Sequence, residues 1–157
     1  MVGEDRLAGA AKLVVRAWKD ADFKSRLLAD ATHALSEIGL EAPEGVELKV
    51  YDNTGPVHHV VVCSECSCWV SFLAPMPPFW KNDEYTKKVM DDPKGALVEM
   101  GLMLDERERV EVVDTTPKVR AMVIPKRPAS NGASSGALTD AALARHVNNL
   151  NIAGYAR

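Results

Sequence analysis

Slid against itself by 62 positions, the chain matches without a gap over about 45 residues. Ala34-Leu35-Ser36-Glu37-Ile38-Gly39-Leu40 falls on Ala96-Leu97-Val98-Glu99-Met100-Gly101-Leu102. Trp18-Lys19 falls on Trp80-Lys81, Phe23 on Tyr85, Glu44 on Glu106, Asp52-Asn53-Thr54 on Asp114-Thr115-Thr116, and Val57 on Val119. Shared helix periodicity alone would not keep register so long. The fold is thus constrained to two similar units packed with pseudo-two-fold symmetry, an internal repeat of residues 18–62 and 80–124.

Each copy reads the same way. A helical segment (Asp22 to about Thr32; Asp83 to about Asp91) runs into a short helix that ends at a glycine, Gly39 or Gly101, well placed as a C-terminal cap. Two strands follow, Val46 to Tyr51 and Val57 to Val62 in the first copy, Val110 to Val113 and Val119 to Ile124 in the second. Asx and Thr residues with Gly55-Pro56 or Pro117 supply the turns. The expected fold class is α+β: a duplicated helix-helix-hairpin unit with helices layered on antiparallel strands.

Outside the repeat, Asp5 to Trp18 carries apolar residues at Leu7, Ala10, Ala11, Val14, Val15 and Trp18, a helical stripe suited to burial. Ser130 to Gly136 has the composition of a flexible linker, and Thr139-Asp140 is placed to cap a last short helix, Ala141 to Val147. The expected organisation is one domain over 1–129, with 130–157 as linker and C-terminal tail.

The 157 residues suffice for one domain that buries a core without disulfide staples. Apolar residues make up 46% and charged residues 26%, and 22 acids against 19 Lys and Arg leave a charge of −3. That balance offers no electrostatic footprint for nucleic acid or an anionic membrane. No apolar run approaches a membrane span, and Glu4 and Asp5 sit where a signal peptide has basic residues. A cytoplasmic location is expected.

All three cysteines, Cys63, Cys66 and Cys68, crowd into one short window, which a framework of disulfides tying distant loops would not use. They lie just past a strand end, where scaffolds commonly carry sites. In the second copy Ile124 runs instead into Pro125-Lys126-Arg127-Pro128. The spacing of Val62-Cys63-Ser64-Glu65-Cys66-Ser67-Cys68 puts three soft donors on one tight turn, with the amides of Ser67 and Cys68 between the last two sulfurs. If those amide nitrogens also bind, the peptide becomes a claw of three sulfurs and two nitrogens with one octahedral position open. Ionising an amide demands a strong Lewis acid, so trivalent iron or cobalt fits better than zinc, and the open position is a place for substrate or water. Three other readings stand beside it: a structural zinc completed by His58 or His59, a redox dithiol of Cys63 and Cys66, and incidental thiols.

Val-Cys-Ser-Glu-Cys-Ser-Cys resembles the metal motif of the nitrile hydratase alpha subunit, shared with the gamma subunit of thiocyanate hydrolase. The likeness extends through Asp52-Asn53-Thr54 and Val57-His58, Pro77-Pro78-Phe79-Trp80, Glu84-Tyr85, Asp92-Pro93, Ala96 to Gly101, Val112 to Thr116 and Met122 to Ala129. It covers about Trp18 to Ala129. The resemblance implies one Fe(III) or Co(III) ion per chain. Its ligands would be Cys63 as a plain thiolate, Cys66 as a sulfinate and Cys68 as a sulfenate, with the amide nitrogens of Ser67 and Cys68. Ser67 and Cys68 would be the catalytic positions. The implied reaction hydrates a nitrile to its amide, with the metal as Lewis acid and the Cys68 oxygen, or water activated by it, as nucleophile.

The family's beta subunit brings arginines that hydrogen-bond the oxidised sulfurs. Here no Arg or Lys lies within ten residues before Cys63 or after Cys68. A beta-type partner, in a heterodimer or heterotetramer, is therefore implied, with an activator or metallochaperone as a further possible partner, and the chain alone is expected to be inactive. The alternatives are a thiocyanate hydrolase-like subunit, a non-catalytic metal-binding module, and a scaffold subunit of a larger assembly.

Several positions depart from the family pattern. Glu65 replaces a leucine, and either faces solvent or repels an anionic substrate. Glu44 stands where many members have a glutamine, and equally reads as an exposed turn acid. Ser71 replaces a tryptophan, with Trp69 placed to refill the space, and Thr86 and Lys88 stand near two family arginines. Substrate preference therefore does not carry over. Ser64 suggests iron and Trp69 suggests cobalt, so the markers for the metal conflict.

Overall fold

The computed structural model of the protein describes residues 2–63, 83–127, 139–148 and 150–155. Helix α1 spans Val2–Lys19. Its predicted stripe is buried at Ala10, Ala11, Val14 and Val15, and Leu13 and Ala17 widen it to a broad inward face. At its end the Trp18 indole donates to the Pro125 carbonyl at 2.8 Å, joining the start of the first copy to the end of the second.

In the first copy α2 (Ala21–Ala29) and α3 (Ala31–Ala34) lead through a 3-10 turn, Leu35–Ile38, into strands β1 (Glu47–Asp52) and β2 (Val57–Val62). In the second, α4 (Asp83–Asp91) and α5 (Pro93–Glu99) lead into β3 (Arg109–Asp114) and β4 (Val119–Ile124). The α+β class of the sequence reading therefore stands.

The repeat is visible in individual hydrogen bonds. Asp30 caps α3 by accepting from the His33 amide, and Asp92, 62 residues on, caps α5 by accepting from the Gly95 amide. Gly39 and Gly101 both take a positive φ, at 75° and 94°. Behind them Leu40 N donates to Leu35 O and Leu102 N to Leu97 O, at 2.9 and 3.0 Å. A left-handed residue followed by this back-bond closes the carbonyls of a helix end, and glycine adopts that conformation without a Cβ clash.

The strands do not form the expected antiparallel hairpins. β1 pairs in parallel with β4, from Glu47 with Val119 to Asp52 with Ile124. β2 pairs in parallel with β3, from Val57 with Arg109 to Val62 with Asp114. Each strand thus takes its partner from the other copy, and exchanging the copies carries one register onto the other.

The reason lies at the link between the two strands of each copy. The Asn53 amide continues the β1–β4 ladder by donating to Ile124 O at 3.0 Å, and the equivalent Thr115 amide donates to Val62 O at 2.9 Å. The side chain at the same position then reaches six residues ahead. Asn53 Oδ1 accepts from His59 N at 2.7 Å, and Thr115 Oγ1 accepts from Ala121 N at 3.1 Å. The link therefore pins the next strand into the neighbouring sheet instead of folding it back.

Burial follows from this pairing. β1 alternates, with Leu48 and Val50 buried and Glu47 and Lys49 exposed, whereas Val60, Val61 and Val62 of β2 and Ala121 to Ile124 of β4 are buried without interruption. An unbroken apolar run marks a strand covered on both faces. β2 and β4 lie against one another as the inner strands, with α2 and α3 packed on β1, α5 on β3 and α4 on β2.

The domain boundary expected at residue 129 falls outside the described residues. Beyond it Thr139 caps α6 (Asp140–Ala144), shorter than the predicted helix, by accepting from the Ala142 amide. The last turn, Asn151–Ala153, buries Ile152 and Ala153 against the same core. This stretch, expected as tail, shares the core of the repeat. Among the described residues no helix is long and apolar enough to cross a membrane.

Thr115 is fully buried and its hydroxyl is the pin of the second copy. Thr115→Val keeps the shape of the side chain but removes the buried bond from the Ala121 amide to the hydroxyl, so stability should fall by about 1–3 kcal/mol in urea unfolding. A change within a few tenths of a kcal/mol would show that the pin does not hold the link.

Candidate metal centre

β2 delivers the chain to Cys63. The strand is gripped along its length, with β3 on one edge, α4 packed against it, and the Asn53 side chain closing its start by a second bond, from Nδ2 to His59 O at 2.9 Å. At its end Val62 O accepts the Thr115 amide. Cys63, the next residue, is half-buried and packs against the apolar core. A ligand at the end of a strand held this way needs little ordering on binding.

The other expected ligands, Cys66, Ser67 and Cys68, lie outside the described residues, as do Ser64, Glu65, Trp69 and Ser71. Among the described residues no three His, Cys, Asp or Glu side chains stand together as a metal site. The donor set can still be tested by its chemistry. Three closely spaced sulfurs, the first of them half-buried among apolar neighbours, suit a soft or borderline transition ion and not Mg²⁺ or Ca²⁺, which require oxygen ligands. The residues fit iron or cobalt.

The two histidines on β2 have other partners. His58 is buried and its Nε2 lies 2.7 Å from the Gly154 carbonyl, which only accepts, so that nitrogen carries the proton. His59 holds Nδ1 at 2.8 Å from Asn53 Oδ1, which also takes the His59 amide. Its Nε2 stands 3.8 Å from Glu111, and its ring tilts against Tyr51. Both imidazoles are thus tied into the fold through at least one ring nitrogen.

Burial pushes the His59 pKa below the ordinary histidine range, against the weaker upward pull of Glu111 and Asp52. For Asp52, burial acts upward but is outweighed by hydrogen bonds from Thr54 and Lys24, which hold its carboxyl below the usual range.

The remaining sequence candidates are scattered. Glu44 is exposed on the turn before β1, in line with the turn-acid reading. Lys88 is exposed and pairs with Glu99 at 3.2 Å. A groove of about 700 Å³ lined by Lys12, Val15, Arg16, Ile38, Asp140 and Ala144 includes none of the candidate ligands. Sequence reasoning missed Asn53 as the pin of the link and the contact of Gly154 and Tyr155 with β2. The match of Asn53 to Thr115 in the repeat was a signal for the first; for the second, the apolar Ile152-Ala153 signals burial of the segment but not the strand it meets.

Comparison with known proteins agrees with this layout. The family described as "Nitrile hydratase, alpha chain" matches residues 4–156, so the match includes the C-terminal segment as well as the repeat. The chain belongs to the nitrile hydratase alpha-chain family. It is 42% identical over 120 residues to the low-molecular weight cobalt-containing nitrile hydratase subunit alpha of Rhodococcus rhodochrous, covering 76% of this chain and 58% of that protein. It is 29% identical over 131 residues to the thiocyanate hydrolase subunit gamma of Thiobacillus thioparus, covering 76% and 54%. Among solved structures, a double mutant of the Fe-type nitrile hydratase from Comamonas testosteroni Ni1 superposes with a TM-score of 0.84 at 33% identity, covering 96% of this chain and 72% of that one. The chain spans about 58% of the length of the Rhodococcus relative.

The sign of the His59 shift sets a pH dependence. Its folded pKa is depressed, so the contribution to stability is complete above the unfolded value of about 6.5 and is lost as pH falls toward the folded value. Urea midpoints should therefore decline as pH drops below about 6.5, and His59→Gln should flatten that part of the curve. An unchanged slope in the variant would assign it to other groups.

Proposed function

We propose that this chain is the metal-bearing subunit of a nitrile hydratase-type enzyme, working in the cytoplasm with a beta-type partner and converting a nitrile and water to an amide. One observation carries the reading: the half-buried Cys63 at the held end of β2 opens a segment whose sulfur spacing matches this family's metal motif. The two copies are read as helices layered on either side of the paired strands about a pseudo-two-fold axis, the second copy serving as scaffold for the first.

In this reading Cys63, Cys66 and Cys68 hold an iron or cobalt ion through sulfur, and the amide nitrogens of Ser67 and Cys68 complete the protein donors. Bound there, the trivalent ion supplies Lewis acidity toward a nitrile nitrogen. Cys66 as sulfinate and Cys68 as sulfenate are weaker electron donors than thiolates. The Cys68 oxygen serves as nucleophile toward the nitrile carbon or as base toward the attacking water. The oxidised sulfurs need charge-assisted hydrogen bonds. The cationic residue nearest to Cys63 among the described residues before it in sequence is Lys49, on β1, whose ammonium stands over the Tyr51 ring. The missing arginines are therefore assigned to the partner. A thiocyanate hydrolase-like activity is the second reading, supported by the gamma-subunit relative at lower identity.

Purified with its partner, the chain should contain iron or cobalt, carry added oxygen on Cys66 and Cys68 but none on Cys63 by peptide mass, and hydrate small or aromatic nitriles. Cys63→Ser should abolish metal retention. Zinc on unmodified thiols in the mature complex, or no hydration by a fully loaded sample, would overturn the assignment. Carbonyl sulfide release from thiocyanate would select the second reading.

A further inference from the structure

Among the described residues β2 is paired with a strand, β3, along one edge, and backbone groups along the other edge need partners from elsewhere. The C-terminal segment supplies one of them. The Tyr155 hydroxyl donates to Val61 O at 2.6 Å in a buried bond, and His58 Nε2 donates back to Gly154 O at 2.7 Å. Gly154 lies so close between these bonds that a Cβ there would run into the His59 carbonyl oxygen and stand 2.8 Å from Val60 Cα. Its φ of 89° also disfavours any other residue. The segment is ordered before it reaches the strand: Tyr155 N donates to Leu150 O at 2.9 Å, the Asn151 amide to Asn148 Oδ1 at 2.9 Å, and Ile152 and Ala153 are fully buried.

These contacts converge on the last peptides before the cysteine segment. Val61 O is held by Tyr155, and Val62 O, one residue on, is held by the Thr115 amide from the other copy. We propose that the C-terminal segment 150–155 is a strap that positions Cys63, with Tyr155 as its positioning residue. The proposal deepens the metal-centre reading and rests on it for the role of Cys63. A ligand set with an open coordination position depends on a fixed first ligand, and the strap together with Thr115 fixes the backbone that delivers it.

Two measurements on the 157-residue chain test this and separate it from the metal reading. In the reduced, metal-free chain, the rate at which iodoacetamide alkylates Cys63 is followed by peptide mass. Tyr155→Phe keeps the ring packed but removes the donor. It should speed alkylation about tenfold, the change in local opening expected for loss of one buried hydrogen bond. Gly154→Ala, which forces the strap off β2, should do at least as much. Asp20→Ala serves as control, because it removes the α2 cap formed with the amides of Asp22 and Phe23 and so lowers global stability without touching the strap. It should leave Cys63 reactivity near wild type. Equal rates in Tyr155→Phe and wild type, or an equal rise in Asp20→Ala, would overturn the strap.

Titration with Co(II) supplies the second readout, the thiolate-to-cobalt charge-transfer band, which should weaken or shift in Tyr155→Phe and not in Asp20→Ala. An unchanged band in Tyr155→Phe would overturn the positioning role. If the wild-type chain gives no such band, the metal reading falls, and the alkylation rates alone decide whether the strap holds Cys63.

Discussion

Among the described residues every strand finds its hydrogen-bonding partner in the other half of the repeat, and the rest of the structure depends on that exchange. β1 with β4 and β2 with β3 run parallel, so neither copy can complete a sheet by itself. Parallel neighbours cannot be joined by a tight turn. The chain meets that requirement by sending each strand pair across both sheets and pinning the link, through Asn53 in one copy and Thr115 in the other. The helices then pack against the strands, and the inner strands are apolar without interruption from Val60 to Val62 and from Ala121 to Ile124.

The candidate centre inherits its rigidity from this arrangement. β2 is an inner strand, held at its start by Asn53, along one edge by β3 and at its last carbonyls by Tyr155 and Thr115. Cys63 is the first residue past this grip. The equivalent point in the second copy leads to Pro125, whose carbonyl accepts the Trp18 indole. One duplicated framework thus carries a chemical segment at one strand end and a structural contact at the other.

The helices were legible because their signals are local. Thr139 before the last helix, and Gly39 and Gly101 after apolar turns, act within a few residues of themselves and appear as a cap and left-handed closures. The strand positions were legible for the same reason. Their pairing was not: the Asx-rich link between β1 and β2 reads as a hairpin turn on local chemistry. Only the bond from Asn53 to Ile124, 71 positions away in sequence, shows that it is a crossing between sheets. Val60-Val61-Val62 did carry a hint, because a strand with one face in water would alternate. That the three cysteines crowd together after β2 was legible from spacing, though Cys66 and Cys68 lie outside the described residues. The support that Gly154 and Tyr155 give to β2 was not, because nothing near them in sequence marks the strand they meet.

What the sequence by itself determined is the set of pieces: two copies of one unit, the ends of their helices, the apolar strands, and three sulfurs placed together after one strand. Each of these is encoded by residues close enough in the chain to act on one another whatever the rest does. Only the tertiary structure decided which strand lies beside which, that the inner pair would be covered on both faces, and that the C-terminal turn would close against β2. Those outcomes depend on burying the apolar surface of both copies at once while satisfying every strand edge, and that condition is set by the whole chain.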